Sequence, residues 1–153
     1  MKKLKILLLL YLVFLVNVAS MCSNDDDNSS SSVNQTTVVN TVSSGTWRIT
    51  LYNDSGTIKT NQFTGYNFTF GPSNVLTATN GTLTHTGIWS VTDSNSNDDS
   101  MDDLDFNIAF TTPANFLELT DDWDIQSRTA TKIELIDVSG GNGGTDYLTF
   151  EKN

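Results

Sequence analysis

The feature that most constrains this 153-residue chain is a strict alternation of apolar and polar residues over residues 45–52. After a glycine, Trp47, Ile49 and Leu51 alternate with polar side chains, so they fall on one face of an extended backbone. A period of two predicts a β-strand with one buried face. The same pattern returns after Gly87, around Trp89, which indicates a protein built from such strands.

Segments of this kind follow one another along the chain, separated by turn-forming residues. The predicted strands are residues 46–53, 65–70, 75–79, 82–92, 104–111, 123–129, 132–138 and 146–151. Asn80-Gly81 between two of them is a strong hairpin signal, whereas residues 113–119 favour a single helical turn. The sequence therefore predicts an all-β fold, in which an antiparallel up-and-down meander hides its edges by closing into a small eight-stranded barrel.

The N-terminal residues have the composition of an export signal. Three lysines precede an apolar run over residues 6–16, which is too short to span a bilayer comfortably and is followed by small residues. Residues 1–21 are predicted to be a signal peptide. Residues 22–44 are rich in serine, asparagine and aspartate and are predicted to form a disordered tether. The barrel domain is assigned to residues 45–153.

Cys22 is the only cysteine, which excludes a disulfide within the chain. Residues 19–22, Ala-Ser-Met-Cys, resemble the lipobox at which bacterial lipoproteins are cut and acylated, for example with palmitate. Residues 22–27 are similar to the acidic export signal of surface lipoproteins in Bacteroidetes-type bacteria. The resemblance implies a lipid anchor on Cys22 and a surface-exposed position on the outer membrane. The alternative is ordinary signal-peptidase cleavage after Ser20, which would leave a free thiol.

The charge of the chain argues against nucleic acid as a partner. All 18 acidic residues follow Cys22, whereas three of the eight basic residues precede it, so the exported chain carries a formal charge of about −13. Such a surface repels phosphate backbones and anionic lipid head groups.

The predicted barrel region resembles the lipocalin-like domains found in bacterial lipoproteins. The resemblance rests on residues 45–47, 76–81, 87–91 and 147–152 and covers about residues 45–152. It implies that Trp47 packs across the closed base of the barrel. Lipocalins often place an arginine of the last strand over this ring, and the last strand here offers Lys152.

The resemblance also implies a binding site for a small hydrophobic ligand inside a monomeric barrel. Its lining would include Phe68, His85, Trp89, Phe106 and Trp123. The alternative is a barrel filled by these same side chains, which would be a non-catalytic structural or interaction module of the cell surface. A cavity needs small residues opposite the aromatic ones, and the candidates are Ala78, Gly87 and Ala109. A third option is a barrel that presents its loops to a secreted enzyme as an inhibitor.

Catalytic and metal chemistry have little support in the sequence. His85, the only histidine, is either a base inside the barrel or, as we favour, a wall residue with a hydrogen-bond partner. No serine lies in a nucleophile elbow, so we predict neither an enzyme nor a cofactor. Asp93, Asn95, Asn97 and Asp99 resemble the start of a calcium loop. The loop's usual sixth-position glycine and twelfth-position glutamate are missing, which favours a solvated acidic turn.

Overall fold

The computed structural model describes residues 30–93, 104–139 and 143–153. The strands in these ranges are β1 (Trp47–Asp54), β2 (Thr57–Ile58), β3 (Asn67–Phe70), β4 (Val75–Thr79), β5 (Thr84–Asp93), β6 (Leu104–Ala109), β7 (Asp121–Arg128), β8 (Lys132–Val138) and β9 (Thr145–Lys152). The α-helices are α1 (Ser30–Val42) and α2 (Ala114–Leu117), and two 3₁₀ turns cover Thr60–Phe63 and Pro72–Asn74. None of the helices in these ranges is long and apolar enough to cross a membrane.

The strands form one antiparallel sheet that closes on itself. Neighbours follow the order β1-β3-β4-β5-β6-β7-β8-β9, and β9 then pairs with β1, while β2 is a short flap on the end of β1. The predicted eight-stranded antiparallel barrel is therefore confirmed. We call the end where β1 begins and β9 ends the base, and the opposite end the rim.

Helix α1 corrects the prediction of a disordered tether over residues 22–44. Residues 30–42 are helical, and Val38 and Val42 are fully buried against the base of the barrel. The Gln35 side-chain amide also donates a hydrogen bond of 2.6 Å to the backbone oxygen of Val91. Serine, asparagine, threonine and valine are poor helix formers, so the helix depends on its contacts with the barrel. For the same reason the composition of this segment did not predict a helix. The folded domain begins at about residue 30 instead of 45.

A second correction concerns the inward face of β1. The pairing of β1 with β9 shifts register between Ile49 and Leu51, so one extra residue bulges from β1. The bulge reverses the alternation, and Tyr52, not Leu51, is buried beyond it. The same irregularity occurs in β7 between Ile125 and Ser127. Alternation alone does not reveal a bulge, because no residue in these stretches marks it.

Candidate functional site

The base of the barrel is closed by α1 and Trp47. The indole nitrogen of the fully buried Trp47 donates a hydrogen bond of 2.8 Å to the backbone oxygen of Val42, the last residue of α1. The ammonium of Lys152 lies 5.3 Å from the centroid of the Trp47 ring, within the range of a cation–π interaction. Trp47 and Lys152 thus pack against each other at the base of the barrel.

The rim is plugged by Phe116, which α2 carries over the barrel end. The helix begins after Pro113, whose backbone oxygen accepts a 2.9 Å hydrogen bond from the amide of Phe116. Phe116 is fully buried and meets five rings, with centroid distances of 4.6 Å to His85, 5.0 Å to Phe110, 5.1 Å to Tyr66, 5.4 Å to Phe63 and 6.1 Å to Phe68. Most of these contacts are edge-on or tilted, as favourable aromatic pairs are. The rim is therefore closed by a cluster of interlocked rings.

The predicted aromatic lining residues pack against one another and against neighbouring side chains. Phe68, Phe106 and Trp123 are fully buried, and the Trp89 ring stacks on Phe106 with centroids 6.2 Å apart. Phe70 makes an edge-to-face contact with each of these two rings, with its centroid 5.4 Å from that of Trp89 and 5.4 Å from that of Phe106. These rings pack against one another in the interior of the barrel.

The polar atoms of the buried tryptophans are bonded to the protein itself. The Trp89 indole nitrogen donates to the backbone oxygen of Gly71 at 3.0 Å, and that of Trp123 donates to Leu119 at 3.1 Å. Their hydrogen bonding is thus satisfied without a ligand.

His85 lies in the barrel wall near the rim and is half-buried. Its Nε2 atom is 3.2 Å from the hydroxyl of Tyr66, and its ring lies against Phe116. The geometry is that of a wall histidine with a hydrogen-bond partner.

The three small residues named as candidates for lining a cavity lie in different surroundings. The Phe110 ring occupies the space above Gly87, so that a Cβ atom built there would lie 2.8 Å from the ring. Ala78 is fully buried, whereas Ala109 faces outward, because the inward positions of β6 are Leu104, Phe106 and Ile108.

Charged groups gather at the rim outside the aromatic plug. Lys59 bridges the carboxylates of Asp54 and Glu118 at 2.5 and 3.1 Å. The Tyr52 hydroxyl donates to the backbone oxygen of Glu118 at 2.7 Å, and burial and nearby carboxylates raise the pKa of this tyrosine. Burial also raises the pKa of Asp121 to about 6.

Most of the candidate calcium-loop residues and Cys22 lie outside the described ranges. Among the residues that the structure describes, no three histidine, cysteine, aspartate or glutamate side chains form a metal site. Of the calcium candidates only Asp93, at the end of β5, is placed, and Asn95, Asn97 and Asp99 lie outside the described ranges. Cys22 lies outside them as well.

A groove on the outside of the barrel was not predicted from the sequence. It has a volume of about 530 Å³ and crosses β5, β6 and β7, between Asn74 in the β3–β4 turn and Thr120 before β7. Ile88 and Ala109 contribute to its floor, and Asp122 lies at its β7 side. We call it the outer-wall groove. Ile88 is exposed, whereas the other outward-facing residues of β5 are polar. This exception in the sequence could have indicated the groove.

The rings of the plug were missed for a different reason. Phe63 and Phe116 lie in connections between strands, in a 3₁₀ turn and in α2, where period-two alternation carries no information. Leu119, also buried, follows Phe116 in the same connection. Three large apolar residues in connecting segments are themselves a signal, because loop residues are usually polar.

The comparisons with known proteins bear on the fold. No protein-family model and no curated protein matches the sequence. Among solved structures, the chain is similar to a DUF4847 family protein from Bacteroides vulgatus, with 19% sequence identity and a TM-score of 0.50. The match covers 76% of this chain and 97% of that protein. At this identity the similarity shows a shared fold.

Proposed function

We propose that this chain is a non-catalytic interaction module of the cell envelope, attached to the outer membrane through a lipid on Cys22. In this role the barrel is a rigid support, and its outer surface meets the partner. No cofactor and no catalytic residue are assigned, and nucleic acid is not a partner in this proposal.

The observation that carries the proposal is the close packing of buried aromatic rings inside the barrel. Phe116 seals the rim with five ring contacts, α1 and Trp47 seal the base, and the rings between them are buried. Binding pockets for small molecules typically have volumes of about 300–1,000 Å³ and bury most of the ligand. A ligand of this kind would have to displace the protein's own side chains.

The anchor would determine which end of the barrel faces the membrane. Seven residues separate Cys22 from α1, and an extended chain of that length spans at most about 25 Å. Because α1 covers the base, a lipid on Cys22 would hold the base near the membrane and direct the rim away from it. The barrel wall would then be accessible from the surroundings.

The carrier of a small hydrophobic molecule is the second candidate, and one observation favours it. The plugging residues Phe63 and Phe116 belong to connecting segments and not to strands. A ligand that moved these two segments would reach the cluster around Phe68, Phe106 and Trp123 without breaking a strand pair.

Native mass spectrometry of the mature protein, extracted from its host with a mild detergent, separates the two candidates. The interaction module should show only the polypeptide and its covalent lipid, with the same mass before and after denaturation. A Cys22→Ser control removes the covalent lipid and should show the bare polypeptide. A further mass that disappears on denaturation would overturn the proposal and establish the carrier.

A further inference from the structure

Ile88 and Ala109 of the outer-wall groove continue into an apolar row that crosses neighbouring strands. Val75 of β4 pairs with Ile88 of β5, and Ile88 pairs with Ala109 of β6, so the three side chains lie side by side on the outer face. Ile88 is 61% exposed and Val75 is 40% exposed. We call these three residues the apolar row. A contiguous exposed apolar strip beside a groove is typical of a surface that contacts another molecule.

On the same outer face, along β6 and β7, lies a set of carboxylates that we call the acidic row: Asp105, Asp122 and Asp124, of which Asp122 lines the groove. Asp105 and Asp124 face each other directly across β6 and β7, and Asp122 faces Asn107. Like charges opposite each other on a sheet destabilise it. Burial and the neighbouring aspartates raise the pKa of Asp105, which reflects a local excess of negative charge.

The chain's own basic residues do not compensate the acidic row. All five basic residues that follow Cys22 are described, and their contacts lie elsewhere on the barrel: Arg48 with Glu151, Lys59 with Asp54 and Glu118, Arg128 with Thr41, Lys132 with Glu134, and Lys152 with Trp47. Within the described part of the chain, no basic side chain forms an ion pair with the acidic row. A positive charge from outside would therefore relieve repulsion that the fold leaves in place.

We propose that the outer-wall groove binds a basic, apolar peptide segment of a partner protein. Its apolar side chains rest on the apolar row, and its lysine or arginine side chains face the acidic row. The inference rests on the interaction function proposed above and names its surface and the chemistry of its partner. A second copy of this chain is a poor occupant, because the same acidic residues would meet one another.

The dimensions of the groove fit a short extended peptide. Strands in a sheet lie about 4.8 Å apart, so the distance from Val75 on β4, beside the groove, to β7 at its far side is about 14 Å, which about four extended residues span. Asp122 is about two residues along the sheet from the apolar row, a distance of about 7 Å that a lysine side chain can bridge. Apolar contact and charge attraction are thus available to the same ligand.

The experiment is an NMR titration of the chain that begins at Ser23. This chain contains every described strand and helix and all of the buried core. The probe is the tetrapeptide amide Lys-Phe-Lys-Phe, and the matched control is Glu-Phe-Glu-Phe. The basic peptide should shift the amide resonances of β5, β6 and β7 around the groove, and its binding should weaken as salt is raised from about 20 to 200 mM.

Three variants decide whether the groove is the site. Ile88→Thr, which keeps a β-branched residue, should weaken binding about fivefold or more, and Asp122→Asn should weaken it about threefold and flatten its salt dependence. The equally apolar but distant Leu83, 52% exposed in the β4–β5 turn, supplies the control Leu83→Thr, which should bind as the unchanged chain does.

The proposal is overturned if the shifts map to another surface, if the acidic peptide binds equally well, or if both groove variants bind as the unchanged chain does. It is also overturned if the protein dimerises with rising concentration and Ile88→Thr abolishes the dimer, because the groove then belongs to a second copy. These failures leave the filled interior, and with it the interaction function, intact. A non-covalent ligand found by mass spectrometry would reject that function whatever the peptide does.

Discussion

Replacing Phe116 with alanine tests whether the barrel is filled. Phe116 is fully buried, and its ring lies within about 6 Å of five others, so its removal leaves a space with rigid walls. The surrounding strands are closed into a barrel and cannot move inward without breaking hydrogen bonds. We therefore expect little collapse around the vacated site.

The expected loss follows from these contacts. Replacing a buried phenylalanine with alanine lowers the free energy of unfolding by about 3–5 kcal/mol. Because the surroundings can collapse little, we place Phe116→Ala in the upper half of that range. With a urea m-value of about 1.5 kcal/mol/M, the unfolding midpoint should fall by about 3 M. A ring that merely covered an existing cavity would lose far less, about 1 kcal/mol or under.

The assay is urea unfolding of the chain from Ser23, followed by tryptophan fluorescence and circular dichroism. Leu117→Ala is the matched control, because Leu117 lies next to Phe116 in α2 but is 46% exposed, and it should change stability by less than about 0.5 kcal/mol. Phe116→Leu, which keeps most of the volume, should cost about 1 kcal/mol and remains measurable if the alanine variant does not fold. A loss under about 1 kcal/mol for Phe116→Ala would refute the filled interior and favour the carrier.

Gly87→Ala should destabilise the barrel by about 1–3 kcal/mol in the same assay, because its Cβ would lie 2.5 Å from the backbone oxygen of Ala109 and 2.8 Å from the Phe110 ring; an unchanged midpoint would mean that space is free there. Asp121→Asn should raise the melting temperature at pH 7.5 and have little effect near pH 4. Burial raises the pKa of Asp121 to about 6, so between pH 6 and 4 the folded protein binds a proton that the unfolded chain does not. The free-energy cost of the charged carboxylate therefore disappears as the pH falls below 6. Equal gains in melting temperature at pH 7.5 and pH 4 would contradict this. Cys22→Ser should release the protein from the membrane fraction and remove the acyl mass, whereas Ser23→Ala should do neither; retention of the serine variant in membranes would reject the anchor.

The strands could be predicted from the sequence because the pattern that defines them is local. The predicted segments 75–79 and 132–138 coincide with β4 (Val75–Thr79) and β8 (Lys132–Val138), and the others differ at their ends by one to a few residues. Closure followed from the number of strands and the need to hide their edges. Helix α1 was not predictable in this way, because its stability comes from contacts of Val38 and Val42 with strands far along the chain.

The sequence predicts which side chains lie inside the barrel but not how they pack there. Alternation places Phe68, Phe106 and Trp123 inside, yet it gives no information on whether they surround a space or fill it. That depends on Phe116, which comes from a connection, and on how the Phe110 ring turns toward Gly87. The outer-wall groove depends on register between strands, which brings residues from β4, β5 and β6 into one row and which no single segment encodes.

The pairing of β1 with β9 also affects how the chain folds as it is made. The first long strand is hydrogen-bonded to the last one, and only one residue pair, Trp47 with Phe68, joins it to β3. A chain that emerges N-terminal end first therefore lacks the main partner of β1 until the final eight-residue strand appears. Contacts this distant in sequence form slowly, because a long loop must close before they contribute. The barrel therefore cannot close before β9 has been made, and the loss of the last few residues of β9 would remove part of the pairing that joins it to β1.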